Sequence, residues 1–315
     1  MSGRVSKNLV VTMLMLGVSQ SALGLNFVFD YSRDTNNFFD AAKKSVLESA
    51  GNFFESIIHD SLSSLPPTVG SGNWAATFSD PTTGTSDGAS GGTCTGTTGC
   101  VDNLSVAADT LYVFVGGREL GGSTLGRGGP GGYSTFGTSD FNTAVATRGQ
   151  TGVGTTDFAP WGGSIAFDSV GTSWYVDDDT STDEAFSGFD LFSVALHEIG
   201  HLLGIGTAVS WNNQVSGTDF TGSNSVAANG GSNVPLSGDL AHWQNGLTST
   251  IDGIGSFETA MDPNIAPGQR KRFTDLDIAA LKDIGWEVSA VPLPASIWFL
   301  ISGIAALFGL RRKSP

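Results

Sequence analysis

His197-Glu198-Ile199-Gly200-His201 decides how this chain is read. The stretch before it, Phe189-Asp190-Leu191-Phe192-Ser193-Val194-Ala195-Leu196, reads as a helix running into the motif. Residues four apart share a helix face, so the two imidazoles can grip one zinc ion from the same side. Glu198 then projects beside the ion, where it can take a proton from a metal-activated water. The plain alternative is a surface helix that carries two histidines by chance. With only four His in 315 residues, coincidence at this spacing is a poor account.

The two ends read as targeting segments. Arg4 and Lys7 precede an apolar run from Leu9 to Val18, then Ser21-Ala22-Leu23-Gly24. A charged start, a short apolar core and small residues predict a secretory signal peptide over residues 1–24, with an N-terminal anchor as the alternative. At the other end, Val291-Pro292-Leu293-Pro294-Ala295 leads into the apolar stretch Ser296–Leu310 and the basic Arg311-Arg312-Lys313. A basic cluster closing an apolar run predicts a membrane segment whose basic end stays in the cytoplasm. Residues 291–315 resemble the PEP-CTERM sorting tail of Gram-negative bacteria, in its Val-Pro-Leu-Pro-Ala variant. That resemblance implies transient inner-membrane retention, recognition by an exosortase-type enzyme and a final place at the cell surface or outside the cell. A plain C-terminal anchor is the alternative.

Residues 25–290 remain as one exported domain. They carry 10 basic and 30 acidic side chains, a formal charge of −20. Such a surface repels nucleic acid and favours solubility. The acidic cluster Asp177-Asp178-Asp179 with Asp183 and Glu184 could bind calcium through its carboxylates, or could be a solvated loop near a helix start. Cys94 and Cys100 are the only cysteines, and in an exported protein that spacing predicts a short-loop disulfide.

Along the chain, Leu25–Tyr31 reads as a strand, and residues 36–62 as a helix with apolar residues at helical spacing. His59, near that helix's end, reads as a favourable charge there, not as a ligand. Trp74–Phe78, Leu111–Val115, Thr143–Thr147 and Ser164–Phe167 read as strands. Residues 116–140 are very rich in Gly; they predict either a mobile loop or a wall of a substrate cleft. Thr274 can cap a helix over 274–285, with Asp277 at the capping-box position and Gly285 ending it.

After His201 come Leu202-Leu203-Gly204-Ile205-Gly206-Thr207, with Gly204 placed to turn the chain. Through Gly204 the stretch resembles the metzincin zinc peptidases, whose motif is His-Glu-x-x-His-x-x-Gly-x-x-His. The third-ligand position departs from it, being Thr207. A catalytic zinc site needs three protein ligands and one open position. His242, in Gly238-Asp239-Leu240-Ala241-His242-Trp243, is the one other histidine downstream. The order of His242, Met261 and the helix ending Asp283-Ile284-Gly285-Trp286 resembles the leishmanolysin-like metzincins, in which an insertion (here 208–241) precedes the third His. The resemblance implies His197, His201 and His242 as metal ligands and Met261 as the Met-turn. It also implies an α+β fold, with a twisted sheet, a zinc-binding active-site helix and a smaller C-terminal lobe. Trp161-Gly-Gly-Ser-Ile-Ala-Phe-Asp168 resembles the strand before that helix.

The resulting expectation is an exported zinc endopeptidase acting on protein or peptide substrates, with Glu198 as general base. All four Tyr precede the motif, so no tyrosine near the Met-turn can assist an oxyanion. Two other readings compete. One is a non-catalytic surface or matrix protein that retains the metal-bound fold, against which the intact Glu198 argues. The other is a zinc hydrolase of a non-peptide bond.

Overall fold

The computed structural model describes residues 24–289, except Pro67, Gly70, Ser71, Ser181 and Asp183. The expected signal segment and sorting tail therefore lie outside the described residues. Among the described residues, no helix is long and apolar enough to cross a membrane.

Strand β1 (Asn26–Asp30) is followed by helix α1 (Ala41–Ile57). Asp40 caps α1 by accepting the Lys43 N–H, and the chain becomes extended at Ile58. The helix expected over 36–62 is thus trimmed at both ends. Before it, the Asp34 carboxylate takes the Phe38 and Phe39 N–H groups at 3.2 and 2.9 Å, and Asn37 turns the backbone with φ 53°. These local bonds offer the backbone an alternative to the helix. Then come β2 (Gly72–Thr77), β3 (Cys100–Asp102), β4 (Thr110–Arg118), β5 (Gly126–Pro130), β6 (Gly132–Phe136), α2 (Ser139–Thr147), β7 (Gly162–Asp168), α3 (Leu191–Leu202), β8 (Thr248–Ile251), β9 (Ile254–Glu258) and α4 (Asp275–Asp283), with shorter pieces between them.

The main sheet runs in the order β1-β4-β7-β5, parallel across its first two pairings and antiparallel at β5. Side chains of β4 alternate between two layers, as strand geometry requires. Leu111, Val113 and Val115 join α1 and α3 in the larger core. Phe114 points the other way, into a second core with Trp74, Phe78 and Trp161. That second layer is a small sheet centred on β2, which pairs antiparallel with β3 and β6. A mixed sheet with helices on one face and a short sheet on the other fits the expected α+β class.

Residues 126–136 serve both sheets, as β5 of the first and β6 of the second. Gly131 makes the transition where a Cβ would sit 2.0 Å from the Trp161 ring. Of the two readings of the Gly-rich segment, the wall is the one its backbone fits; β5, Gly-Arg-Gly-Gly-Pro, carries too few side chains to signal itself by alternation. The strand expected at Thr143–Thr147 is instead the end of α2. Thr138 caps that helix by accepting the Phe141 N–H, and Phe141 and Val145, four apart, are its buried residues. One-sided burial at helical spacing outweighs the strand preference of Val and Thr.

Arg148 follows α2 in left-handed geometry, φ 50°, and is fully buried. Its guanidinium donates to the carbonyls of Ser63, Ala107, Thr110 and Pro160 at 2.7–3.1 Å. Burial holds its pKa down to about 10. Cys94 and Cys100 are joined by a disulfide.

Candidate active site

Helix α3 is fixed at its start by a buried ion pair. Asp190 caps it, accepting the Ser193 N–H and Oγ–H. The same carboxylate takes Arg270 Nε and Nη2, both at 3.0 Å. Ser193 Oγ also bridges to the backbone of Lys271. The helix therefore enters the core with its N-terminus tied to the segment just before α4.

The end of α3 is set by glycines. Gly204 has φ 109° and Gly206 φ 74°, the region where side chains are strained. A Cβ on Gly206 would also lie 2.3 Å from the Ala241 carbonyl oxygen. Gly206 thus lets the loop carrying His242 reach the helix end. Thr207, at the position where a third ligand was sought first, donates its hydroxyl to the His201 carbonyl at 2.7 Å.

His197, His201 and His242 converge. Their Nε2 atoms are 3.0–3.1 Å from one another, and they form the only metal-competent cluster of His, Cys, Asp and Glu found among the described residues. Each Nδ1 faces an oxygen: the Ala260 carbonyl at 2.7 Å, the Ile205 carbonyl at 2.8 Å and Asp239 Oδ2 at 2.7 Å. Those oxygens place the ring protons on Nδ1 and leave three Nε2 lone pairs aimed at one point. Without a cation the lone pairs repel. Around tetrahedral zinc, ligand nitrogens stand about 3.3 Å apart, so the arrangement fits that ion. Burial, and the positive charge a second protonated ring would bring, hold the His197 pKa well below its usual value and that of His201 down to about 4. These shifts keep the two helix-borne rings neutral, as ligation requires.

Glu198 sits beside them with 5% of its surface exposed. Burial pushes its carboxyl up to about 8, while the Gly128 N–H and the Arg127 charge pull the other way. Strand β5 lies directly over it. A Cβ on Gly126 would meet Glu198 Oε1 at 2.5 Å, and one on Gly128 the Glu198 carbonyl oxygen at 2.3 Å. Only glycine allows this approach, a role that composition alone could not assign.

Met261 is fully buried against the motif. A Cβ on Gly200 would come within 2.5 Å of its sulfur, so the variable position before His201 is the socket for this side chain. Asp277 holds the turn in place. Its carboxylate accepts the N–H groups of Ala260, Met261 and Thr274 and the indole N–H of Trp243, at 2.8–3.2 Å. Together with Thr274 it forms the capping box expected at the start of α4. One buried carboxylate therefore ties the residue after His242, the turn that receives His197, and α4.

A cleft of about 770 Å³ opens over this floor. Residues 123–128 form one wall and residues 260–265 the other, with Thr207, Asp239 and Lys271 at the margins. Lys271 is buried and paired with Glu258 and Asp262, each at 3.2 Å. A neighbouring cavity of about 540 Å³, between Tyr175–Phe186 and the β8–β9 hairpin, contains none of the three histidines.

The remaining sequence expectations fall elsewhere. In the acidic cluster, Asp177 pairs with Arg270 at 3.1 Å, Asp178 accepts Ser45 Oγ and Glu184 accepts the Tyr175 hydroxyl. Asp183 is outside the described residues. The carboxylates of Asp177, Asp178 and Glu184 thus serve protein partners, and among the described residues the cluster forms no group able to hold a metal ion. His59 meets the Ser289 hydroxyl at 2.9 Å, in a seam where its N–H also binds the Glu287 carbonyl. Sequence reading missed Asp239, Gly200 and the two glycines over Glu198. Asp239, three residues before His242 and short enough to fold back, carried the one readable signal among them.

Residues 134–212 match the matrixin family model, Peptidase_M10. The match spans about a quarter of the chain, from the end of β6 to just past the two helix-borne histidines, and stops short of His242. No curated protein matches, and no solved structure matches. The matched segment and the three converging imidazoles together support a zinc metallopeptidase of the metzincin type.

Proposed function

We propose that this chain is an exported zinc-dependent endopeptidase in which His197, His201 and His242 hold the metal and Glu198 is the general base. The observation that carries the reading is the convergence of three Nε2 atoms beside a buried carboxylate, under an edge strand. A zinc ion held there would acidify a water and polarise a carbonyl. The rest belongs to the chain. Glu198 accepts the water's proton and passes it to the leaving amine. Strand β5 ends its sheet beside the cleft, so an extended peptide can pair with its backbone. That edge favours a peptide over a non-peptide substrate. The order of ligands, with the third after an inserted segment and Met261 behind them, resembles the leishmanolysin-like arrangement. The terminal segments carry the proposal of export and of exosortase-dependent sorting through the inner membrane to the surface.

Two substitutions test the site. Glu198→Gln removes the base and keeps the shape, so it should retain zinc by elemental analysis while cleavage of an unfolded protein substrate drops about 10²–10⁴-fold. His242→Ala should lose zinc. Full cleavage by Glu198→Gln, or unchanged zinc in His242→Ala, overturns the assignment. A non-catalytic matrix protein would hydrolyse nothing in either form.

A further inference from the structure

We propose that Asp239 is the positioning residue for the third histidine, a carboxylate whose contact with the His242 ring sets how tightly this chain holds zinc. The inference rests on the zinc reading above.

The three imidazoles are not supported alike. His197 and His201 stand on one helix, and backbone carbonyls of packed turns receive their Nδ1–H groups. His242 stands on a loop, and its Nδ1 meets a charged side chain, Asp239 Oδ2, at 2.7 Å. The other carboxylate oxygen builds the loop itself. Asp239 Oδ1 accepts the Ser237 hydroxyl at 2.6 Å and the Ala241 N–H at 3.0 Å. The Ser237 N–H closes the turn on the His242 carbonyl at 2.9 Å, and Leu240 between them has φ 60°, a conformation uncommon for leucine. One oxygen shapes the loop and the other aims the ring.

Magnitudes separate these two tasks. The side chain of Asp239 is 52% exposed, and a carboxylate contact so open to water adds little to the stability of a fold. A carboxylate behind a metal-bound imidazole acts differently. It fixes the tautomer and strengthens the ligand, and its loss typically weakens metal binding about 10–100-fold. The contact should therefore appear in zinc affinity and be nearly silent in the stability of the metal-free protein.

The experiment measures the zinc dissociation constant by competition with a chromogenic chelator at one pH, and the melting point of each metal-free protein. Asp239→Asn keeps an oxygen for Ser237 and Ala241 but turns an amide N–H₂ toward Nδ1. It should bind zinc about 10–100-fold more weakly with an unchanged metal-free melting point. Ser237→Ala loosens the same loop without touching Oδ2, and should bind zinc within about threefold of the parent. Asp239→Asn within about threefold of the parent overturns the proposal. So does an equal loss in Ser237→Ala, or a melting point that falls together with the affinity, since either makes loop closure the cause. A parent protein that binds no zinc refutes the underlying reading instead, and is told apart by that control.

Discussion

Replacing Gly128 with alanine should damage catalysis far more than replacing its neighbour Gly129. The Cβ added at 128 would sit 2.3 Å from the Glu198 carbonyl oxygen and 2.9 Å from the Glu198 Cβ. The first obstacle is backbone inside a buried helix, so it cannot swing aside. Ordinary contact requires about 1 Å more, which must come from lifting β5 off α3. Overpacking of this kind costs about 1–3 kcal/mol of stability. The lift also withdraws the Gly128 N–H that faces the Glu198 carboxylate, and displacements near 1 Å can cost about 100-fold in rate. Gly129 shares the strand and neither residue has positive φ, yet a Cβ there meets nothing within 4 Å. Gly129→Ala should stay within about 0.5 kcal/mol of the parent or gain slightly from reduced unfolded-state entropy. Urea unfolding and initial rates on a fluorogenic peptide, run on both variants, make the comparison. If Gly128→Ala keeps its rate within about threefold and its stability within about 0.5 kcal/mol, the packing of β5 over Glu198 is wrong.

Three further outcomes are expected. Burial raises the Asp60 carboxyl to about 6, with the Glu287 and Asp157 charges adding to the effect against the Glu287 N–H that it accepts. The native state thus holds this proton better than the unfolded chain does, so this contribution is full below about pH 4 and is lost as pH rises through about 6. Asp60→Asn should stabilise the protein by about 1–2 kcal/mol at pH 8 after allowance for solvent screening, and not at pH 4, as read by urea unfolding at both. Arg148→Met should cost at least about 3 kcal/mol because four carbonyls lose a buried donor; a loss under 1 kcal/mol would show that water replaces the guanidinium. Stripping metal with a chelator should lower the melting point, and restoring zinc to about 1,000 times its dissociation constant should return about 4 kcal/mol. A melting point indifferent to zinc would count against a site formed in the native state.

What could be read from sequence was what depends on local spacing. The i, i+4 histidines, the Thr274–Asp277 capping box and the Cys94–Cys100 pair are settled within a few residues of chain, and the structure has each. His242 lies beyond local spacing; the resemblance to the leishmanolysin-like order implies it, and the scarcity of histidines agrees. What stayed hidden depends on distant partners. No local pattern shows that Asp190 meets Arg270 across 80 residues, or that Gly200 leaves room for Met261. Residues 126–136 became strands through pairing with β7 and β2; over 126–132 the glycines leave no alternation for sequence reading to find. At 143–147 the β-branched residues pointed to a strand, and the burial of Phe141 and Val145 on one helical face decided otherwise.

His242 lies 41 residues beyond His201, and its loop docks against the turn that Gly206 opens. As a chain collapses, the helix can present its pair early, but two imidazoles alone make a weak and incomplete chelate. On the proposed reading, a copy still folding would lack a complete metal site until the loop carrying His242 has docked beside Gly206.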